Sequence, residues 1–210
     1  MMAGMSAVLP SWKLIEAHVR SGRPIIGIDE VGRGAWAGPV VAAAVILPPE
    51  LIIEGLADSK LLTPAQRKGL NRQIRRYAQA TGIGWVAPTE VDVHGLSWAV
   101  RQSGLRALIA LNVPDEAIII LDGRHNYLAD AYTSETYIKG DATIVPVAAA
   151  SVVAKVARDS YMMALSRRTP GYSFELHKGY GTRAHQKALA QLGASVEHRH
   201  SYAPLRKLTP

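Results

Sequence analysis

Two short stretches, Ile25-Ile26-Gly27-Ile28 and Ile118-Ile119-Ile120-Leu121, are apolar throughout, and each stops on acid: Asp29-Glu30 after the first, Asp122 after the second. Runs this short, rich in β-branched residues and without polar alternation, read as strands covered on both faces. A third run of the same kind, Val40 to Leu47, is too short for a typical helix. Carboxylates at the ends of such strands stand at the rim of a core, where an unpaired charge is costly. The chain must therefore build a covered sheet and find partners for acids at its edge.

The remaining segments supply the cover. Trp12, Ile15 and Val19 have helical spacing within Ser11 to Arg20. Thr63-Pro64-Ala65-Gln66 combines a capping Thr, Pro at the first helical position and Gln three residues after the Thr. That helix is expected to run to about Thr81, before Gly82. A strand is expected over 83–86, and helices over 96–111, 147–166 and 182–192. Strands and helices mixed in this way predict an α/β fold, a central sheet packed by helices. Residues 167–180, rich in Gly, Pro and aromatics, mark the seam between a sheet domain, 1–168, and a small C-terminal helical part, 169–210, of the same unit.

Charge narrows the function. Lys plus Arg exceeds Asp plus Glu by 24 to 17, and the whole surplus of seven lies in residues 155–210. A one-sided surplus points to a polyanionic partner, although a solvated, solubilising end has the same composition. The absence of Cys excludes disulfides, thiol nucleophiles and Cys-ligated zinc. The longest uncharged run, 34–49, is 16 residues and contains three prolines, too short to span a membrane. With no signal-peptide pattern at its start, the chain is expected to be a soluble cytoplasmic protein.

Acids carry the chemistry. Asp29 and Glu30 precede Gly32-Arg33-Gly34, Asp122 precedes Gly123, and Asp141 opens a segment without charge from Ala142 to Ala154. Neighbours in a regular strand point to opposite faces, so Asp29 and Glu30 converge only where the strand breaks. Gathered carboxylates repel one another, and hard divalent cations relieve that repulsion. Each acid alone also reads as a turn former or helix cap. Gly-x-Gly-x-x-Ala at 32–37 is not a dinucleotide fingerprint, because a β-branched run and not a helix follows it. Ser151, near Lys155, lacks a nucleophile-elbow pattern and reads as a small helix residue. His198-Arg199-His200 is expected to be exposed, facing nucleic acid or solvent.

The stretches GIDEVGRGAWAGPVVAAAVIL (27–47), DSKLLT (58–63), LDG (121–123), KGDATIVPVAAASVVAKVARD (139–159), HKGYGT (177–182) and HRHSYAPL (198–205) together resemble the bacterial ribonuclease HII family. The resemblance implies a ribonuclease H-like mixed sheet flanked by helices. It also implies four metal-binding catalytic acids, Asp29, Glu30, Asp122 and Asp141, with two Mg²⁺ or Mn²⁺ ions. Family members cut 5′ of a ribonucleotide in RNA–DNA hybrids or embedded in a DNA duplex, leaving 3′-hydroxyl and 5′-phosphate ends. Gly32, Arg33, Gly34 and Tyr180 match the elements that read the ribose and the junction with DNA. Lys60 is assigned to a phosphate, Lys155 and Arg158 are left open, and the protein is expected to be monomeric. Two departures are local: Trp98 and Arg101 stand where small or apolar residues are commoner, and Tyr202 where Phe is usual. A silent binder of RNA–DNA hybrids and a phosphatase of small esters are the competing readings.

Overall fold

The computed structural model of the chain describes residues 9–207. Five strands, β1 (Ile25–Val31), β2 (Val40–Ile46), β3 (Ala80–Val86), β4 (Ile118–Asp122) and β5 (Ser134–Tyr137), form one sheet in the order β3-β2-β1-β4-β5. β1, β2 and β3 pair antiparallel, whereas β4 lies parallel to β1 and β5 parallel to β4. The sheet is therefore mixed, with β1 at its centre.

Helix α4 (Leu96–Leu111) covers one face. Ile26, Ile28, Ala42, Ala44, Ile119 and Leu121 pack there against Ala107, Leu108 and Leu111. Helices α2 (Pro64–Tyr77) and α6 (Val145–Arg168) cover the other, where Ala43 and Val45 meet Leu70, Ile74 and the uncharged 148–154 stretch. Close approach, not bulk, fixes these layers. A Cβ on Gly27 would lie 2.1 Å from the Pro146 carbonyl carbon, so the first turn of α6 rests directly on β1. On the other face Gly84 lets β3 approach α4, since a Cβ there would lie 1.9 Å from the Ser103 oxygen.

The helix start at Thr63 is a capping box. Thr63 accepts from the Gln66 N–H at 3.3 Å and donates its own N–H to Gln66 Oε1 at 2.8 Å. This helix ends at Tyr77 rather than near Thr81, because residues 80–86 pair with 40–46 along their full length. Ladder hydrogen bonds to β2 outweigh one more helical turn. Helix α6 is longer than expected, starting with Pro146 in its first turn and ending at Arg168. The 11–20 segment is a 3₁₀ turn followed by the short α1 (Glu16–Arg20). Short α3 (Pro88–His94) and α5 (Gly140–Thr143) and the edge strand β5 have no counterpart in the sequence-based expectation.

After α6, the short α7 (Phe174–His177), α8 (Arg183–Leu192) and the short α9 (Ala203–Arg206) pack on Met162 and Leu165 through Phe174, Leu189 and Leu205. Three histidines brace this part. The His177 ring stacks on His185 with centroids 4.5 Å apart, and His185 Nε2 lies 3.0 Å from His198 Nε2. The backbone assigns every proton. His198 Nδ1 accepts from the Ser195 N–H at 3.0 Å, so its Nε2 carries the hydrogen donated to His185. His185 Nδ1 in turn donates to the Tyr180 carbonyl at 3.1 Å. Charging either ring would set an N–H against another donor.

Burial holds both His185 and His198 at about 4, below the ordinary histidine value. A histidine so depressed binds its proton less tightly folded than unfolded. The fold accordingly loses this support as pH falls from about 6.5, the unfolded value, towards 4. Imidazole ¹⁵N spectra at pH 5 are expected to show neutral His185 with its proton on Nδ1 and neutral His198 with its proton on Nε2. Charged rings at that pH would refute the assignment.

Candidate active site

The parallel register of β1 and β4 brings the acids together. Ile28 stands beside Leu121, so the next residues, Asp29 and Asp122, lie side by side at the carboxyl ends of both strands. Ile28 and Leu121 face α4, and alternation turns Asp29 and Asp122 to the α6 face. Asp141, on α5 just after β5, is buried next to them. The strand does not break as expected at Asp29-Glu30. β1 continues to Val31, with Asp29 opposite Ala43 and Glu30 opposite Ala42. Glu30 therefore points to the other face, where Arg33 Nη1 donates to it at 3.1 Å.

Each of the other acids has its own support. Ser59 Oγ lies 2.7 Å from Ser151 Oγ, and the Ser151 hydroxyl bonds to Asp29, a relay running from Ser59 through Ser151 to the carboxylate. Ser151 is thus more than a small helix residue. Asp122 Oδ1 accepts the Gly140 N–H at 2.7 Å. Lys60 Nζ donates to Asp141 Oδ2 at 2.7 Å, although most of the lysine side chain is exposed. Among the described residues no three acid or histidine side chains stand as a ready-made metal shell. Two of the acids already have a cation: Arg33 on Glu30 and Lys60 on Asp141.

Their charges nevertheless press on one another. Burial, with Glu30, Asp122 and Asp141 nearby, raises the Asp29 carboxyl well above the usual carboxylate range, against the Ser151 hydrogen bond. Burial also raises Glu30, opposed by Arg33, and raises Asp122, assisted by Asp141. Burial works against the Lys60 charge, but the hydrogen bond and charge of Asp141 outweigh it and hold the ammonium above its ordinary value. A donor set of carboxylate oxygens with excess negative charge, one of them already on an ammonium, suits a hard cation that prefers oxygen.

The glycines beside the acids have different tasks. Gly32 has φ +93°, and a Cβ on it would lie 2.4 Å from Arg158 Nε, so the fold itself requires it. Gly34 is exposed, and a Cβ on it would meet nothing within 4 Å. Arg33 bonds Glu30, and Tyr180 lies with the guanidinium of buried Arg158 5.5 Å from its ring centroid. The 32–39 and 177–182 loops touch directly, with the Trp36 N–H donating to the Gly179 carbonyl at 2.8 Å. All the residues expected at the site except Glu30 and Tyr180 lie on the acid side or the glycine loop. Glu30 points to the opposite face of the sheet, yet its charge still acts on Asp29 and is acted on by Asp122, and Tyr180 follows Gly179, whose carbonyl the glycine loop contacts.

Sequence reasoning missed three contributors. Arg199 and His198, expected to be exposed, are fully buried, because carbonyl oxygens and the histidine chain satisfy all their polar atoms. Arg158 is also fully buried and donates to the Pro39, Ala37 and Lys178 carbonyls at 2.9–3.0 Å. A signal existed for Arg158: with Ser151, Met162 and Leu165 it falls at helical spacing on the buried stripe of α6. Asp122 alone of the four acids lines a cleft of about 140 Å³, together with Arg33, Arg124 and Tyr127. A larger groove of about 390 Å³ between α2 and α6 carries Arg67, Lys68, Lys155 and Lys178 instead. The smaller cleft reaches the acids at Asp122; the larger is a mainly cationic surface.

Asp29, Glu30 and Asp122 bind protons more tightly folded than unfolded. Their contribution is fully present below the unfolded carboxylate pKa and is lost as pH rises through the folded values. At neutral pH the cluster destabilises the fold. Asp29→Asn, which keeps an acceptor for Ser151, is expected to melt higher than the parent in chelator. The rise should be on the order of 2–4 °C, the shift that about 1 kcal/mol gives in a chain of this size. An unchanged or lower melting temperature would count against the repulsion.

The family model described as Ribonuclease HII matches residues 26–204. A ribonuclease HII of Geobacillus kaustophilus is 45% identical over 92% of this chain and 73% of its own length. One from Roseiflexus castenholzii is 44% identical over 90% and 85% respectively. Among solved structures, ribonuclease H2 of Pyrococcus horikoshii has a TM-score of 0.72 at 25% identity, covering 88% of this chain and 96% of that one. An RNase HIII designated Bst shares the fold, with a TM-score of 0.65 at 20% identity over 89% of this chain and 69% of its own. Fold and sequence agree, and the chain belongs to the ribonuclease HII family, endonucleases of the ribonuclease H class.

Proposed function

We propose that this ribonuclease HII cuts the phosphodiester 5′ of a ribonucleotide, in RNA–DNA hybrids or embedded in a DNA duplex, and leaves 3′-hydroxyl and 5′-phosphate ends. The convergence of Asp29, Asp122 and Asp141 beside the open Gly34 carries this reading. Asp29, Glu30, Asp122 and Asp141 are the proposed ligands of two divalent ions, Mg²⁺ or Mn²⁺; the Bst RNase HIII relative was solved in complex with Mn²⁺. Such ions, when bound, supply activation of a water and support for the leaving 3′-oxygen.

The residues of the chain do the rest. The Ser59–Ser151 relay fixes the orientation of Asp29, and the Gly140 N–H fixes Asp122. Lys60 Nζ donates to Asp141 Oδ2 and would be free to meet a substrate phosphate if that carboxylate held a divalent ion. The backbone of Gly32-Arg33-Gly34 approaches the ribose, where the absent side chain of Gly34 leaves room for the sugar. The 2′-hydroxyl is what distinguishes RNA from DNA there. Tyr180, backed by Arg158, packs on the sugar at the junction with DNA. The cationic groove between α2 and α6 follows the phosphate backbone. Among the described residues no helix is long and apolar enough to cross a membrane.

A labelled duplex with one ribonucleotide tests the reading directly. With Mg²⁺, the cut is expected on the 5′ side of that residue, yielding a 3′-hydroxyl and a 5′-phosphate; chelator should abolish it. Asp122→Asn is expected to lose cleavage at least about 100-fold, as removal of transition-state charge stabilisation does, with duplex affinity nearly unchanged. Cutting at the parental rate would refute the metal-site assignment. Gly34→Ala is expected to keep the parental melting temperature, since its Cβ meets no protein atom, yet to lose cleavage by an order of magnitude or more. Parental cleavage by Gly34→Ala would refute close approach of the sugar.

A further inference from the structure

Arg199 is fully buried, and no carboxylate bonds it. Its guanidinium is satisfied by oxygens of a single neighbouring loop and one phenol. Nε and Nη2 donate to the Gly38 carbonyl at 3.1 and 2.8 Å, and Nη1 donates to the Arg33 carbonyl at 3.0 Å. Nη1 also donates to the Tyr202 hydroxyl at 2.9 Å, which itself donates to the same Arg33 carbonyl at 2.6 Å. The Arg199 guanidinium lies 5.3 Å from the Tyr202 ring centroid. Backbone contacts lock the arrangement further. The Arg199 N–H donates to the Trp36 carbonyl and the Gly38 N–H to the Glu197 carbonyl, both at 2.8 Å.

Burying a guanidinium costs several kcal/mol unless its donors are all used. Here they are used on the loop that carries Gly32, Arg33 and Gly34. The Arg33 carbonyl and the Gly34 N–H belong to one planar, trans peptide and point in opposite directions. Two donors pull the Arg33 oxygen into the protein, so the Gly34 N–H must point out. That N–H makes no hydrogen bond to the described residues, and Gly34 is exposed.

We propose that Arg199 and the Tyr202 hydroxyl are positioning residues: by gripping the Arg33 carbonyl they fix the direction of the Gly34 N–H, and so the sugar that the enzyme accepts and the bond that it cuts. The proposal rests on the reading that the Gly32–Gly34 backbone faces the ribose. Neither side chain touches substrate. Both act through the peptide they hold.

The test is a duplex with four consecutive ribonucleotides flanked by DNA, cleaved by the full chain with Mg²⁺, with every cut position quantified. The distribution of cuts is an internal ratio, independent of the fraction of enzyme that is folded. Tyr202→Phe removes one hydroxyl and keeps the ring; Arg199→Lys keeps the charge and loses the planar fork. The ratio of the main cut to its neighbours is expected to fall roughly two- to tenfold in Tyr202→Phe, the worth of one hydrogen bond, and further in Arg199→Lys.

A lowered melting temperature with an unchanged pattern in both variants would overturn the proposal, leaving the pair a purely structural role. Should Arg199→Lys not fold, the pattern of Tyr202→Phe alone decides. Gly34→Ala run on the same substrate separates the two levels. Parental rate and pattern in that variant overturn the ribose-facing reading and this proposal with it. Impaired cutting by Gly34→Ala beside unchanged patterns in the other two overturns only the positioning role.

Discussion

Parallel pairing of the central strand with β4 is the constraint on which the site depends. In that register Ile28 and Leu121 point into the core beneath α4, and the following residues are forced to the opposite face as neighbours. Two carboxylates are thus held side by side by ladder hydrogen bonds and by apolar packing on both sides of the sheet. The repulsion between them is small beside the burial of β1, β2 and β4, whose side chains are nearly all inaccessible to water. A fold with this core can carry a local electrostatic cost at one strand end. Ligands of open α/β sheets bind at that end.

Around this centre the molecule uses buried cations in an unusual way. Arg158 and Arg199 meet carbonyl oxygens instead of acids, and burial lowers the Arg158 pKa to about 10 and lowers that of Arg199 as well. A carbonyl cannot neutralise a charge, but five donors in a planar fork can hold several oxygens at fixed distances. The gain is geometric. Arg158 ties Ala37 and Pro39 of the 32–39 loop to Lys178, and Arg199 ties Arg33 and Gly38 of the same loop to the segment after Glu197. Three stretches distant in sequence behave as one surface next to the acids.

Much of this was legible in the sequence. The apolar runs located β1, β2 and β4, the capping box located the start of α2, and the acids at run ends marked the strand ends where Asp29 and Asp122 meet. Other features left no local trace. β5, Ser134-Glu135-Thr136-Tyr137, lacks both an apolar run and burial, and becomes a strand only because the edge of β4 is available. The end of α2 was misplaced because pairing with β2 outweighs helix propensity at Ala80 and Thr81. The strand break expected at Asp29-Glu30 is absent: the strand runs on to Val31, and Glu30 acts on Asp29 by charge from the opposite face. His198 and Arg199 looked solvated because charge was read as exposure. Only the three-dimensional supply of carbonyl oxygens and a neutral imidazole chain makes their burial affordable.

The contact between Arg199 and Arg33 joins residues 166 positions apart. Contacts so distant in sequence close late in folding, because the loop entropy is lost before the contact forms. On an emerging chain all four acids and the completed sheet precede Arg199, and the peptide at Gly34 is still unclamped. During synthesis, then, the chain acquires its acids before the arginine that clamps the Gly34 peptide. With the positioning role proposed for Arg199, the order of residues along the polypeptide makes discrimination the last property to be gained.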